Sequence, residues 1–479
     1  MLLSVIAILH LCIVIAFTLR IMLRDDLTPP ARLAWFIVIN IVPYLGSGLY
    51  FLFGEIDLGH RAEKRHAEIF ESIRSQAIDL MGDPDASETL INPLYVPASQ
   101  YAASINGFHP VAGNCAELMA DGLMTRDRLV ADIDAAKDHV HVLYYIWLAD
   151  GTGTAVAEAL MRAAERGVTC RAIADGLGSR SMIKSALWKQ MAAAGVQTAV
   201  ALPFNNVIST ILTSRLDLRN HRKITVIDGA VTYCGSRNSA DPEFGIKARF
   251  APWVDVMLRF TGPVVSQNQL LFASDWMQAT GEELEVIPLQ PVVQKEGDVI
   301  AQVVGDGPTE RSGATPQLFA IIIACARREL TLSTPYFVPD ETVLEALRAA
   351  AHRGIDVTLI FPRRNDSWIV AAASRSYYRR LLEAGCKIHE FEGGLLHAKT
   401  LTMDGVISLI GSSNLDLRSF DLNYENNILL QDEATTAALR TRQDNYIAQS
   451  APVFLSEVIK WPFYRRIWNN LIATIGPVL

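Results

Sequence analysis

The hydrophobic positions near the start of the chain form two long runs that carry no charge. The first covers residues 2–19 (LLSVIAILHLCIVIAFTL) and the second covers residues 33–53 (LAWFIVINIVPYLGSGLYFLF). Each run is about long enough to cross the ~30 Å hydrocarbon core of a bilayer as a helix. We therefore predict two transmembrane helices, although Pro43, Gly46 and Gly48 also allow a re-entrant hairpin in the second run.

Further along the chain, the pattern changes to strands alternating with amphipathic helices, and it does so twice. HVHVLYYIWLADGTGTAVAEALMRAAERGVTCRAIAD and ELTLSTPYFVPDETVLEALRAAAHRGIDVTLIFP each indicate strand, turn, helix and strand, with the helix ending at Arg-Gly. This alternation predicts an α/β layer architecture. We divide the chain into a membrane anchor (1–60), a linker (61–108), a first half (109–290) and a second half (291–479).

A motif of six residues occurs once in each half with the same spacing. Such a repeat within one chain indicates two copies of one structural unit. The first copy is His221, Lys223, Asp228, Gly235, Ser236 and Asn238, and the second is His397, Lys399, Asp404, Gly411, Ser412 and Asn414.

Each motif is typical of a β-hairpin, because Asp-Gly is a preferred two-residue turn between strands. With an unbulged turn at Asp228-Gly229, His221 lies opposite Ser236, and the second copy is arranged in the same way. Residues two apart on a strand share a face. We therefore expect the motif His, Lys, Ser and Asn on one face of each hairpin, with the Asp at the turn.

This group of side chains fits the chemistry of a phosphodiester. Ammonium, hydroxyl and amide groups can hold the anionic oxygens, while one imidazole attacks phosphorus and the other protonates the leaving oxygen. We predict as catalytic residues His221, Lys223, Asp228, His397, Lys399 and Asp404, and as phosphate-binding residues Ser236, Asn238, Ser412 and Asn414.

Each histidine also needs an acceptor that holds its other ring nitrogen. Within the second half, Glu425 is the candidate acid for His397, and within the first half Asp255 is the candidate for His221. A zinc site is disfavoured, because a single His beside a Lys is poor ligand spacing. No metal or other cofactor is predicted.

Composition narrows the class of protein. Half of the residues are hydrophobic and the mean hydropathy is +0.20, which favours a membrane-associated part. The net charge of −8 argues against a nucleic-acid-binding protein, whose affinity depends largely on neutralising phosphates. None of the six cysteines belongs to a C-x-x-C pair, which is typical of buried thiols in a reducing compartment.

The chain resembles the phospholipase D superfamily and, within it, the bacterial cardiolipin synthases. The resemblance rests on NHRKITVIDG, LHAKTLTMDGVISLIGSSNLDLRSFDLNYE, STPYFVPDE, YYIWLADGTG and PYLGSGLYFLFGE. It implies two tandem phospholipase D-like α/β/α sandwich halves that share one active site, after the two transmembrane helices. It also implies transfer of a phosphatidyl group between two phosphatidylglycerol molecules through a phosphatidyl-histidine, with release of glycerol.

By the same resemblance His221 is the nucleophile and His397 the acid, although the symmetry of the motifs does not choose between them. A phospholipase D that hydrolyses phospholipids would carry the same motifs and is the alternative. A nuclease or a non-catalytic membrane scaffold fits the sequence less well. The acceptor lipid, phosphatidylglycerol or phosphatidylethanolamine, and the oligomeric state stay open. We expect a multi-pass protein of the bacterial inner membrane with its catalytic part facing the cytoplasm.

The first half is longer than the second between its Arg-Gly helix end and its motif histidine. We place the additional residues around 204–216 (FNNVISTILTSRL), where apolar positions follow helical spacing. This pattern predicts either a helix packed on the core or a helix dipped into the bilayer beside the site.

Overall fold

The computed structural model describes residues 2–25, 27–54, 60–203, 217–284 and 296–475. The helix predicted for 204–216 therefore lies outside the described residues.

The amino-terminal segment forms three helices, Leu2–Met22, Pro29–Ile41 and Pro43–Phe53. The second apolar run is divided at Val42, whose backbone is not helical, because proline disfavours the helical conformation in the residue before it. No helix in the described part of the chain combines the length and the apolar character needed to cross a membrane. The two predicted transmembrane helices are therefore not confirmed.

The segment predicted as a linker packs against both halves. Its elements are the helices His60–Ala77, Ala86–Leu90 and Val96–Asn106, with a 3₁₀ turn at Ile78–Leu80. Ile69 and Ile73 belong to a core cluster with the helix Val264–Thr280 of the first half. The helix Val96–Asn106 contributes to a core cluster of the second half. The linker thus joins the two halves through buried apolar contacts.

In the described residues that follow, twenty strands alternate with helices. The strands of the first half are β1 Val111–Leu118, β2 His139–Tyr144, β3 Thr169–Asp175, β4 Gln197–Ala201, β5 Arg219–Asn220, β6 Lys223–Ile227, β7 Val231–Gly235, β8 Trp253–Val254 and β9 Met257–Thr261. The strands of the second half are β10 Val299–Asp306, β11 Glu329–Ser333, β12 Phe337–Val338, β13 Asp356–Pro362, β14 Lys387–Phe391, β15 Leu395–Leu396, β16 Thr400–Met403, β17 Ile407–Gly411, β18 Leu415–Asp416, β19 Asn423–Gln431 and β20 Ser450–Val453.

The helices cover the sheet in both halves. Those of the first half are Gly122–Ala135, Gly151–Glu165, Arg180–Ile183, Ala186–Ala193 and Val264–Thr280, with a 3₁₀ segment at Gly245–Phe250. Those of the second half are Ala314–Cys325, Glu341–His352, Trp368–Ala384, Leu417–Asp421, Glu433–Ala448, Leu455–Val458 and Phe463–Ile475.

Among the described residues, one mixed sheet of sixteen strands runs through both halves. At its centre β1 pairs with β10 in antiparallel orientation. Outward from this pair the order is β9, β7, β6, β2, β3, β4 on one side and β19, β17, β16, β11, β13, β14, β20 on the other, and the sixteenth strand, β5, pairs with β19 outside this order. Counted outward from β1 and β10, each strand on one side corresponds to the strand at the same position on the other side, as far as β4 and β14. The repeat in the sequence is therefore also a repeat in the fold.

The equivalent helices begin and end for the same local reasons. The Asp150 carboxylate accepts a hydrogen bond from the Gly153 N–H, and the Asp340 carboxylate accepts one from the Val343 N–H. Such N-caps satisfy amide groups that have no partner within the helix. After each helix Gly167 or Gly354 has a positive φ, as the Arg-Gly pairs predicted. All six residues of β2 are buried, which fits a strand covered on both faces.

Two short strands cross from one half to the other. β5 pairs in parallel with β19, and β15 pairs in parallel with β8. Each crossing strand lies directly before a motif histidine, His221 or His397. The backbone of each motif is therefore held by the opposite half at the point where the site is formed.

Candidate active site

The turn of each motif hairpin contains three residues, one more than the predicted two-residue turn. Asp228 and Gly229 form the turn with positive φ angles, and the Ala230 N–H donates to the Ile227 carbonyl over 2.9 Å. The ladder then pairs Ile227 with Val231, and the second hairpin pairs Met403 with Ile407 in the same way. The turn residues are as predicted, but the register is shifted by one. The prediction that His221 lies opposite Ser236, and His397 opposite Ser412, is therefore wrong.

Each motif histidine is oriented by an acid from the other half. The Nδ1 atom of His221 lies 2.9 Å from both carboxylate oxygens of Glu425. The Nδ1 atom of His397 lies 2.6 Å from Oδ1 of Asp255. The pairing predicted within each half is therefore wrong, because the two acids are exchanged.

The crossing strands explain the exchange. The His221 N–H donates to the carbonyl of Tyr424 over 2.9 Å, and the His397 N–H donates to the carbonyl of Val254 over 2.8 Å. Tyr424 and Val254 are the residues directly before Glu425 and Asp255. Pairing across the halves thus sets each acid beside the imidazole of the opposite motif.

The two imidazoles line one cavity of about 380 Å³. Because a carboxylate occupies each Nδ1, the Nε2 atom is the ring nitrogen left for chemistry. The Tyr145 ring lies 4.8 Å from the ring of His221, and the Trp253 ring lies 4.6 Å from that of His397. Much of the remaining wall is apolar, including Phe244, Val338, Ile369, Val370 and Ala373.

The two motif lysines are buried beside the histidines. The Lys223 ammonium donates to the His221 carbonyl, and Lys399 Nζ lies 2.7 Å from the His397 carbonyl and 2.9 Å from His397 Nε2. Burial lowers the pKa of Lys223 to about 8 and that of Lys399 to about 7, against the opposing effect of the two nearby carboxylates. Both ammonium groups can therefore be charged near neutral pH, in a place where an anion would relieve their desolvation.

The two histidine–acid pairs differ electrostatically. Burial acts to raise the pKa of Asp255, but His397 and Lys399 outweigh it and bring the pKa to about 2. Burial raises the pKa of Glu425 to about 7, because Lys223 and its other partners offset it only in part. Burial and the two lysines hold the pKa of His221 well below its ordinary value. Burial and Lys399 also lower the pKa of His397, and the Asp255 carboxylate opposes that lowering. Asp255 thus favours the protonated form of His397.

The motif serines support the strands that carry the acids. The Ser236 hydroxyl donates to Asp255 Oδ1 over 2.6 Å and accepts from the Val256 N–H over 3.0 Å. The Ser412 hydroxyl accepts from the Asn426 N–H, directly after Glu425, over 2.8 Å. The shifted register directs both hydroxyls to the acid strands, and phosphate binding by these serines stays a prediction.

The motif asparagines do line the cavity. Asn238 Oδ1 accepts from the Ile146 N–H over 3.1 Å, and Asn414 Nδ2 donates to the Ser419 hydroxyl over 3.0 Å. Phosphate binding by these amides stays a prediction.

Asp228 and Asp404 lie at the far end of the motif strands. Seven residues separate each from its histidine, which at about 3.3 Å per residue is on the order of 20 Å. Their carboxylates accept hydrogen bonds from main-chain N–H groups, those of 137–139 for Asp228 and of 327–329 for Asp404. These contacts hold the turns against the neighbouring strands, and a catalytic role for the two acids stays a prediction.

Comparison with known proteins identifies the family. The family model described as "Cardiolipin synthase, PLD-like domain" matches residues 129–248 and 320–446, and the model "Phospholipase_D-nuclease N-terminal" matches residues 2–55. The chain belongs to the phospholipase D-type cardiolipin synthase family. The resemblance seen in the sequence is thereby confirmed.

Relatives within this cardiolipin synthase family match along almost the whole chain. Cardiolipin synthase A of Edwardsiella ictaluri is 35% identical, over 98% of this chain and 96% of the relative. Cardiolipin synthase A of Yersinia pseudotuberculosis is 37% identical, over 96% of this chain and 95% of the relative. The phosphatidylserine synthase of Haemophilus influenzae has the same fold, with a TM-score of 0.60 at 14% identity over 81% of this chain and 100% of that structure.

Several residues that line the cavity of this synthase site belong to neither of the two sequence motifs. Tyr145 directly follows β2, Trp253 stands two residues before Asp255, and Arg418 lies in the stretch NLDLRS. For Trp253, the sequence signal that could have indicated a place in the site is its position close to the candidate acid Asp255. Only the folded chain brings such residues of both halves to one cavity.

Proposed function

We propose that the protein is a cardiolipin synthase that transfers a phosphatidyl group from one phosphatidylglycerol to a second and releases glycerol. The observation that carries the proposal is the pair of imidazoles on one cavity, each oriented by an acid of the other half and flanked by a buried lysine. Membership of the synthase family supports the substrate class.

In the proposed first step, Nε2 of His221 attacks the phosphorus of the donor lipid. Glu425 accepts the hydrogen bond from Nδ1 and stabilises the positive charge that develops on the ring. A nitrogen–phosphorus bond forms, and the bond to the glycerol oxygen breaks. His397 donates its proton to that oxygen, a role that suits the histidine whose acid partner, Asp255, stays ionised.

The proposed second step runs through the same groups in reverse. Neutral His397 takes the proton from a primary hydroxyl of the second phosphatidylglycerol, whose oxygen attacks the phosphorus and releases His221. Lys223 and Lys399 balance the charge of the phosphoryl oxygens in both steps. Water in place of the lipid hydroxyl would give phosphatidic acid, and the apolar cavity wall favours the lipid.

We further propose that the protein works on the inner membrane, with its catalytic part on the cytoplasmic side. The apolar amino-terminal helices would anchor it. The helix Phe463–Ile475 also supports contact with lipid, since Phe463 is 75% exposed while Ile472 packs beside Val338 and Ala373 of the cavity wall. Basic Arg466 on the same helix suits an anionic lipid surface.

A product assay tests the function. Full-length protein is incubated with acyl-labelled phosphatidylglycerol, alone and mixed with phosphatidylethanolamine, and lipids and glycerol are quantified. We expect cardiolipin and equimolar glycerol from phosphatidylglycerol alone, whereas phosphatidic acid as the main product would indicate a hydrolase. His221→Ala and His397→Ala should each lower kcat by several powers of ten. His389→Ala is the matched control, because this half-buried imidazole on β14 is not among the residues that line the cavity.

A further inference from the structure

One carboxylate of the cavity wall has no role in the chemistry above. Asp366 follows β13, and its side chain is 2% exposed and lines the same cavity as His221 and His397. A carboxylate repels the phosphates of anionic lipids, so the presence of Asp366 in this cavity needs an explanation. A carboxylate is, however, a strong acceptor for hydroxyl groups.

Asp366 is held in place by two polar contacts and can still accept further hydrogen bonds. Its Oδ1 accepts from the Tyr336 hydroxyl over 2.8 Å, and its Oδ2 lies 2.5 Å from the ammonium of Lys247 in the first half. An ionised carboxylate has about four acceptor positions, and these contacts occupy two of them. The loop is fixed because Asn365 donates to the Pro335 carbonyl over 2.7 Å. The partly exposed Lys247 also offsets the negative charge.

The contacts of Lys247 connect Asp366 to the His397 end of the cavity. The Lys247 N–H donates to the Phe244 carbonyl over 2.8 Å, and the Phe244 ring stacks on Trp253 at 3.8 Å. The Trp253 ring lies 4.6 Å from the ring of His397. His397 is the group that gives a proton to the leaving glycerol and takes one from the attacking glycerol, so glycerol occupies this end in both steps.

We propose that Asp366 accepts a hydrogen bond from the secondary hydroxyl of the headgroup glycerol, the hydroxyl that takes no part in transfer. The inference rests on the proposed function and names how its substrate is recognised. His397 gives a proton to the leaving glycerol in the first step and takes one from the attacking glycerol in the second. Asp366 can therefore bind the secondary hydroxyl of either glycerol. Asp366 therefore selects a glycerol headgroup over a headgroup that carries only the reacting hydroxyl.

A competition between two acceptors tests this role. Vesicles contain phosphatidylglycerol and phosphatidyl-1,3-propanediol, which keeps the primary hydroxyl and lacks the secondary one. The ratio of cardiolipin to its deoxy analogue, measured by mass spectrometry, gives the relative kcat/KM without depending on the amount of active protein. The wild-type chain should prefer the glycerol lipid by about 10- to 100-fold, as expected for a hydrogen bond to a charged acceptor. Asp366→Asn should weaken this preference, and the double variant Asp366→Ala with Lys247→Ala should bring it close to one.

The Lys247→Ala variant loses the ion pair with Asp366 but keeps the Asp366 carboxylate. It therefore shows whether recognition of the hydroxyl depends on the carboxylate or on the ion pair. It should retain the preference for the glycerol lipid. Asp356→Asn, which alters an exposed ion pair with Lys387, serves as the matched surface control. The proposal is overturned if Asp366→Asn lowers both products equally, if the preference is unchanged, or if Lys247→Ala abolishes the preference as fully as Asp366→Asn. Failure of the proposed function would differ, since the wild-type chain would then make no cardiolipin.

Discussion

At the scale of single residues, the exchange of acids decides which step a substitution affects. Glu425 orients His221, and Asp255 orients His397. Loss of Glu425 should therefore impair attack on phosphorus, and loss of Asp255 should impair protonation of the leaving oxygen. The pairing within each half that the sequence suggested would assign these effects the other way round.

A phosphatidyl ester of p-nitrophenol separates the two effects, because nitrophenolate leaves without help from an acid. Asp255→Asn should retain most of the nitrophenolate release while its turnover of phosphatidylglycerol falls by about 10²- to 10⁴-fold. Glu425→Gln should lose both activities. Stopped-flow absorbance gives the release rate, and the opposite pattern in the two variants would contradict the exchanged pairing.

The buried lysines make activity dependent on pH. A lysine whose pKa is lowered loses its charge as pH rises through the new value, here about 7 for Lys399 and about 8 for Lys223. We expect kcat/KM for phosphatidylglycerol to fall as pH rises from about 7 to about 9, whereas ordinary lysines would stay charged to above about 10. Lys399→Arg supplies a charge that does not titrate in this range, so its decline should be shallower and lie at higher pH. Identical profiles for both proteins would count against the lysines as the titrating groups.

At the scale of elements, the acids at the hairpin turns act on stability. Asp228 has a φ of 50° and accepts three main-chain hydrogen bonds through its carboxylate. Asp228→Ala removes these bonds and forces alanine into a left-handed conformation, so it should lower the free energy of unfolding by about 2–4 kcal/mol. Asp228→Asn tolerates that conformation and should cost less.

The measurement is denaturant unfolding beside the kcat of the folded fraction. The kcat on phosphatidylglycerol should stay within about threefold of wild type, because the carboxylate lies on the order of 20 Å from the imidazole by strand rise. A loss of kcat by orders of magnitude at unchanged stability would contradict a purely structural role and support the catalytic one.

The sequence predicted the repeated strand–helix pattern, the helix ends at Gly167 and Gly354, and the Asp-Gly turns, because these depend on local periodicity and backbone conformation. It did not predict the register, because one additional turn residue moves Ser236 to the other face. It also missed the exchange of acids and the cavity partners of Asp366. Those contacts come from strands that cross between halves, and spacing along the chain carries no information on such crossings.

At the scale of the whole molecule, one sheet joins both halves and the site lies where they meet. Two buried ammonium groups stand where a metal ion would otherwise supply positive charge. We therefore expect activity in detergent micelles to survive exhaustive chelation with EDTA. On anionic vesicles, divalent ions can still change the rate, because a chain of net charge −8 is repelled by the lipid surface. Loss of micellar activity that a single type of divalent ion restores would disprove the metal-free mechanism.

The most direct test of the account is the residue that carries the phosphatidyl group. In the His397→Ala variant, nitrophenolate can still leave without an acid, so attack by His221 precedes a stalled second step, and intact-protein mass spectrometry should detect one phosphatidyl adduct after incubation with the nitrophenyl ester. Peptide mapping should place it on His221, and the His221→Ala variant should form none. An adduct on His397 in the otherwise wild-type chain, or cardiolipin formation by His221→Ala at the wild-type rate, would contradict the account.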